Sequence, residues 1–181
     1  MATFGNTGTT AADVVVQYCN DIVCGLYTLT ETANISKLSV FGRSGAGGTT
    51  ALRGAIFANN KGALGALQGV SSEVIADYNG GVQKWWDMTL ALTGLTAAQY
   101  WLLLLYGTEG NGTQFGLVCD EDGPGVYYKV NFWTYDAEDD PPSPGGAVKL
   151  GDANLNPRIY ATYTTPSGLS IPLLNHLLLG D

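Results

Sequence analysis

Acidic side chains gathered in two short clusters are the residues of this chain best suited to chemistry. One cluster spans 120–122 and the other 136–140. Hard cations such as Ca²⁺ take carboxylate and carbonyl oxygens from flexible loops, so these loops are a candidate Ca²⁺ site. The pattern lacks EF-hand spacing, and solvated acids that favour turns are the simpler explanation. The candidate ligands are Asp120, Asp122, Asp136, Asp139 and Asp140.

Catalytic signatures do not emerge from the sequence, and we predict that the protein is not an enzyme. A Ser–His–Asp arrangement would have to use His176, the single His, and the chain has no GxSxG turn. A glycosidase needs two carboxyls about 5–10 Å apart across a cleft, and nothing marks one acid as buried and another as exposed. The Gly-rich segments 42–50 and 107–113 do not match the GxxxxGK[ST] pattern of a phosphate loop.

Aromatic side chains are the second group with binding potential. Trp85 and Trp86 are adjacent in one predicted strand, so they should face opposite sides of its sheet. An outward Trp could stack on a sugar ring, and the segment VYYKVNFW presents a similar arrangement. The alternative is that these rings are packed under a loop or a neighbouring subunit. The candidate glycan contacts are Trp85, Trp86 and Trp133.

Composition and charge limit the class of protein. The chain has 181 residues, of which 45% are hydrophobic and 13% are charged. It contains 25 Gly residues, and this composition is typical of an all-β protein with many turns. The formal net charge of −8 and the lack of a Lys/Arg cluster disfavour nucleic acids and anionic membranes as partners. Residues 1–16 do not look like a secretory signal, and no apolar run is long enough to span a bilayer.

The cysteines give little support to a disulfide framework or a metal site. Their number is odd, and they are Cys19, Cys24 and Cys119. Cys19 and Cys24 could bridge a short loop in an oxidising compartment, although small buried side chains are the commoner role. A zinc site is disfavoured because the chain has one His and no CxxC.

Short alternating runs separated by Gly, Asn, Asp and Pro predict an all-β fold. Asn79–Gly80 is a hairpin signal, 59–65 is predicted to be a turn, and 136–146 a long surface loop. Without crossover helices the strands should be antiparallel. We therefore predict a two-sheet, jelly-roll-like sandwich, with an up-and-down barrel as the alternative. The predicted strands are 14–18, 22–29, 35–42, 51–58, 73–77, 82–89, 99–106, 114–119, 126–132 and 158–163.

The C-terminal segment is predicted to be separate from the sandwich. We assign 1–166 to the sandwich domain and 167–181 to an apolar docking tail. Ser170 can cap a short helix, Pro172 is tolerated in its first turn, and Gly180 can stop it. Such a helix is too short to be stable alone, so it must dock on its own sandwich or on a neighbour. The predicted docking residues are Ile171, Leu173, Leu174, Leu177 and Leu178.

Four segments in one order carry a resemblance to a family. They are TFGNTGTT, YTLTETANISKLSVF, LTAAQYWLLLL and IYATYT. Together they resemble the jelly-roll domains of tailed-phage and metagenomic viral structural proteins, and the similarity runs from Phe4 to about Thr164. The resemblance implies a β-sandwich used in fibres, decorations or adhesive surface proteins, and it brings no catalytic residues.

The sequence therefore predicts a non-enzymatic virion structural protein that self-assembles through its sandwich and its apolar tail. It would be a capsid decoration, fibre or minor shell subunit at the virion surface, with itself and other virion proteins as partners. Apart from the candidate Ca²⁺, we expect no cofactor. One alternative is a carbohydrate-binding module. Another is a subunit of an extracellular filament joined by strand exchange through residues 1–16.

Overall fold

The fold is all-β over the residues that the computed structural model describes, which are 1–8, 14–17, 22–45, 48–78, 80–109, 114–120, 127–129, 135, 149–150 and 155–166. No helix long and apolar enough to cross a membrane is found in these ranges. The strands are β1 Ala2–Gly5, β2 Val14–Gln17, β3 Ile22–Leu29, β4 Ala33–Ser44, β5 Thr49–Asn60, β6 Ala63–Val70, β7 Val74–Ala76, β8 Lys84–Leu95, β9 Ala98–Glu109, β10 Phe115–Asp120, β11 Tyr127–Lys129, β12 Lys149–Leu150, β13 Asn156–Pro157 and β14 Ile159–Thr164.

The strands form two antiparallel sheets. In sheet I, β1 pairs with β14, β14 with β4, and β4 with β8. The end of β4 also pairs with β10, which contacts β2 and β13. Sheet II has the order β12-β11-β3-β9-β5-β6, with β7 beside β5. Most neighbours are not consecutive in the chain, which rules out the up-and-down barrel among the described strands.

The main hydrophobic core lies between the two sheets. Strand alternation places one set of side chains from each sheet in this layer. Leu38 and Met88 come from sheet I and Ile56 and Leu102 from sheet II, and all four are fully buried in one cluster. Two sheets that bury their facing side chains in this way form a sandwich, as predicted.

Sheet II is also buried on its outward face. The run from Trp101 to Leu105 in β9 alternates between the main core and a second buried cluster. We call this second cluster the outer apolar layer. Tyr135 packs against it and donates a hydrogen bond to Glu73 (2.7 Å). Its buried members are Ile22, Cys24, Ala55, Phe57, Leu64, Trp101, Leu103 and Leu105.

The predicted strands are confirmed in outline, but two connections differ from the prediction. Segment 59–65, predicted to be a turn alone, contains a tight turn at Lys61–Gly62, both with positive φ, and then the start of β6. β6 was missed because its sequence, ALGALQGV, is rich in residues of low strand propensity. The predicted hairpin at Asn79–Gly80 is wrong, because β7 pairs in sheet II and β8 in sheet I. The Gly residues there turn the chain from one sheet to the other.

Candidate functional site

Three aromatic rings pack against one another, tilted or edge to face, on the outward face of sheet I. Phe41 of β4 is opposite Trp85 of β8, and Tyr160 of β14 is opposite Ser39 of β4. The ring centroids of Phe41 and Trp85 are 5.1 Å apart, and those of Trp85 and Tyr160 are 4.8 Å apart. All three side chains are half-buried. We call these three residues the outer aromatic patch.

An ion pair borders the patch. The Lys37 ammonium donates to one carboxylate oxygen of Asp87 (2.6 Å), and the Ser39 hydroxyl donates to the other (2.6 Å). The charged side chains remain accessible, with 34% of Lys37 and 52% of Asp87 exposed. Ser39 is fully buried beneath them. The patch and the ion pair together are the candidate functional site.

The charges of the pair stabilise each other. The hydrogen bond to Asp87 raises the pKa of Lys37 above its ordinary value. Desolvation alone would raise the pKa of Asp87, but the hydrogen bonds from Lys37 and Ser39 outweigh it and lower the pKa. Both groups are therefore charged over the physiological range of pH. The site presents a fixed carboxylate and a fixed ammonium beside an aromatic surface.

A buried arginine packs against the Phe41 ring of the outer aromatic patch. The guanidinium of Arg158 lies 5.4 Å from the ring centroid of Phe41. It also donates two hydrogen bonds to one oxygen of Asp120, at 2.8 and 2.6 Å. Asn6 donates to the other oxygen of Asp120 (2.9 Å). The Arg158 side chain is only 5% exposed, so its packing against Phe41 is a fixed part of the fold.

The two adjacent tryptophans separate as strand alternation requires. Trp85 faces outward, whereas Trp86 is in the main core and donates from its indole nitrogen to the carbonyl of Gly42 (3.1 Å). The Lys84 ammonium lies 3.8 Å above the Trp86 ring and covers it. Trp86 therefore has no ring face to offer a ligand. Trp133, the third candidate glycan contact, lies outside the described residues.

Asp120 is the one candidate Ca²⁺ ligand whose surroundings are described. Both of its carboxylate oxygens already accept hydrogen bonds, from Arg158 and from Asn6. No group of three or more metal-binding side chains occurs within the described ranges. The Ca²⁺ site stays a prediction that rests on Asp122, Asp136, Asp139 and Asp140, which lie outside those ranges.

Other predicted residues fall partly outside the described ranges. Cys24 and Cys119 are buried among apolar side chains, and burial raises the pKa of the Cys24 thiol well above its ordinary value. This placement agrees with their interpretation as small core residues, while Cys19 is not described. The predicted docking residues Ile171, Leu173, Leu174, Leu177 and Leu178 also lie outside the described residues.

Sequence reasoning identified one member of the patch and missed its neighbours. Lys37, Ser39 and Phe41 alternate along a strand that was predicted, so they could have been assigned to one face. Tyr160 and Asp87 could not be added to that face, because neither the pairing of β14 with β4 nor the register of β8 is encoded locally.

Neither a scan of protein-family models nor a search of curated proteins finds a match to the chain.

Proposed function

We propose that the protein is a non-enzymatic structural subunit of a virion, of the capsid decoration, fibre or minor shell type. In this proposal the sandwich is a jelly roll and the C-terminal tail is a short helix. The four segments that resemble viral jelly-roll domains support the assignment. All four contribute residues to the described strands β1, β3, β4, β9 and β14 of a two-sheet sandwich.

The observation that carries this proposal is the difference between the two outward faces of the sandwich. On sheet II the outward face is apolar, with Phe57, Trp101 and Leu103 at most 1% exposed. On sheet I the outward face carries the exposed Asp87 and Thr89 and the half-buried patch. The chain therefore covers the outward face of sheet II by itself and leaves the outward face of sheet I in solvent, which suits a subunit that exposes one face at a virion surface.

Self-assembly through the apolar tail is the part of the proposal most directly open to experiment. A tail with five large apolar side chains must bury them, and each buried side chain contributes about 1.5–3 kcal/mol. We expect the full chain to self-associate and a chain ending at Pro166 to be monomeric. The measurement is size-exclusion chromatography with light scattering over a range of protein concentrations.

Two controls make the result specific. A full-length chain with Leu173, Leu174, Leu177 and Leu178 changed to Ser should behave like the truncated chain. Circular dichroism should show the same β-sheet content in all three proteins, because the sandwich is proposed to fold without the tail. A full chain that is a stable monomer at all concentrations would overturn the self-assembly proposal.

A further inference from the structure

The outward face of sheet I contains more aromatic surface than a solvent-facing sheet requires. Antiparallel sandwiches alternate apolar residues inward with polar residues outward, and β8 follows this rule at Asp87 and Thr89. The outer aromatic patch departs from it, with rings from three adjacent strands in contact. These rings keep part of their surface in solvent, where a ligand could contact them.

The chemistry around the patch is that of a carbohydrate site. A pyranose ring has an apolar face of C–H groups and a rim of hydroxyls that both donate and accept hydrogen bonds. Trp and Tyr rings offer large apolar surfaces with little conformational freedom to lose. The Asp87 carboxylate can accept from hydroxyls, and the Lys37 ammonium has donors beyond the one that Asp87 accepts.

The spacing of these groups suits a single sugar residue. Trp85 and Asp87 are two positions apart on the same side of β8, which places them about 7 Å apart along the strand. That separation is comparable with the width of a pyranose ring and its hydroxyls. A sugar whose C–H face lies on Trp85 would therefore bring its hydroxyl edge to Asp87 and Lys37.

Contacts within the fold orient the groups of the site. Ser39 fixes one oxygen of Asp87 and Lys37 fixes the other. Phe41 is held between the Trp85 ring and the guanidinium of Arg158. Groups that are already fixed lose little freedom on binding, which increases affinity for a given set of contacts.

We propose that the outer aromatic patch, with Asp87 and Lys37, is a binding site for one residue of a neutral pyranose glycan. The glycan is neutral because Lys37 and Asp87 cancel each other's charge and the chain carries a formal net charge of −8. Glycan binding at this site does not require self-assembly, so the binding proposal and the proposed structural role are tested independently. It would allow a surface subunit to contact a glycan.

Binding can be tested on the full chain with four neutral probes, the methyl glycosides of galactose, glucose, mannose and N-acetylglucosamine. The indole N–H resonances report on the four Trp residues separately. We expect at least one probe to shift the Trp85 resonance in a saturable way. A sialic acid glycoside, which is anionic, should bind at least about tenfold more weakly than that probe, a difference of 1.4 kcal/mol.

The variants locate the site. In titration calorimetry, which does not need the Trp85 resonance, Trp85→Ala and Asp87→Asn should each weaken binding about tenfold, and Trp85→Tyr should retain most of it. Tyr78→Ala, which removes an aromatic side chain that is 47% exposed outside the patch, should bind like the parent protein. Thermal unfolding of each variant checks that the sandwich is intact.

Three results would overturn the proposal. The first is that none of the four glycosides shifts the Trp85 resonance at any concentration that dissolves. The second is that the glycoside binds the folded Trp85→Ala and Asp87→Asn proteins as tightly as it binds the parent protein in titration calorimetry. The third is that the Trp85 resonance shifts with protein concentration in the absence of sugar, since a second copy of the chain would then cover the patch.

Discussion

At the scale of single residues, Arg158 connects three parts of the molecule. It directly precedes β14, and its side chain binds Asp120 at the end of β10 and packs against Phe41 of β4. Asn6 completes the arrangement by donating to Asp120 and to the carbonyl of Asn156. A buried ion pair of this kind fixes the relative positions of strands more than it adds net stability.

Removal of the Arg158 charge should be strongly destabilising. In Arg158→Met the Asp120 carboxylate, which is 18% exposed, loses its cation while remaining largely buried. We expect the free energy of unfolding to fall by about 3–5 kcal/mol, measured by urea denaturation. Arg43→Met is the matched control, because Arg43 is exposed and makes only a long hydrogen bond of 3.4 Å.

The double variant separates an unpaired charge from a general loss of packing. Replacing Asp120 by Asn in the Arg158→Met background should recover part of the lost stability, since the uncompensated carboxylate is then gone. If Arg158→Met lowers the free energy of unfolding no more than Arg43→Met does, the Arg158–Asp120 ion pair does not hold the strands in place.

At the residue scale, part of the candidate site could be predicted from the sequence. Adjacent Trp residues in a strand must point to opposite faces, and the structure places Trp86 inward and Trp85 outward. Which of the two is outward follows from the pairing of β8 with β4, and this pairing joins residues up to 62 positions apart, as in Ala33 and Leu95. Such partners leave no local signal.

At the scale of elements, the short strand β1 depends on one side chain. Phe4 is the buried residue of β1, and it makes edge-on contacts with Tyr100 and Tyr163 at centroid distances of 6.5 and 6.2 Å. The other residues of β1 are exposed. β1 therefore docks through Phe4 and through its hydrogen bonds to β14.

Phe4→Ala should release β1 and lower the free energy of unfolding by about 3–5 kcal/mol, the usual cost of emptying a buried Phe site. Thr3→Ala, which changes an exposed neighbour in the same strand, should have an effect within about 0.5 kcal/mol. Chemical denaturation measures both. Equal stability of the two variants would mean that β1 does not contribute to the core.

The elements differ in how well the sequence predicted them. β3 was predicted at its observed bounds because its apolar run is bounded by turn-forming residues. β1 and β6 were missed, since the first is short and mostly exposed and the second is dominated by Ala, Gly and Leu. β1 is a strand because it pairs with β14, and β6 because it pairs with β5. The propensities of their own residues do not predict these pairings.

At the scale of the whole molecule, the all-β class and the sandwich followed from the sequence, whereas the strand order did not. The buried run of β9 indicated a strand, but its position between β3 and β5 depends on contacts distant in the chain. The difference between the two outward faces also appears only when the strands are assembled, because it depends on which side of each sheet meets the core.

The pairing of β1 with β14 also determines how the molecule should respond to tension. Ala2 lies opposite Tyr163 and Gly5 opposite Tyr160, so the outer ends of both strands lie at the same end of the ladder. A force applied between residues 1 and 166 would break these pairs one after another, like a zipper, instead of shearing them all at once. In single-molecule pulling with handles at these positions, we expect a short extension from the release of residues 1–8 before the sandwich opens. One rupture without this earlier step would contradict the expectation.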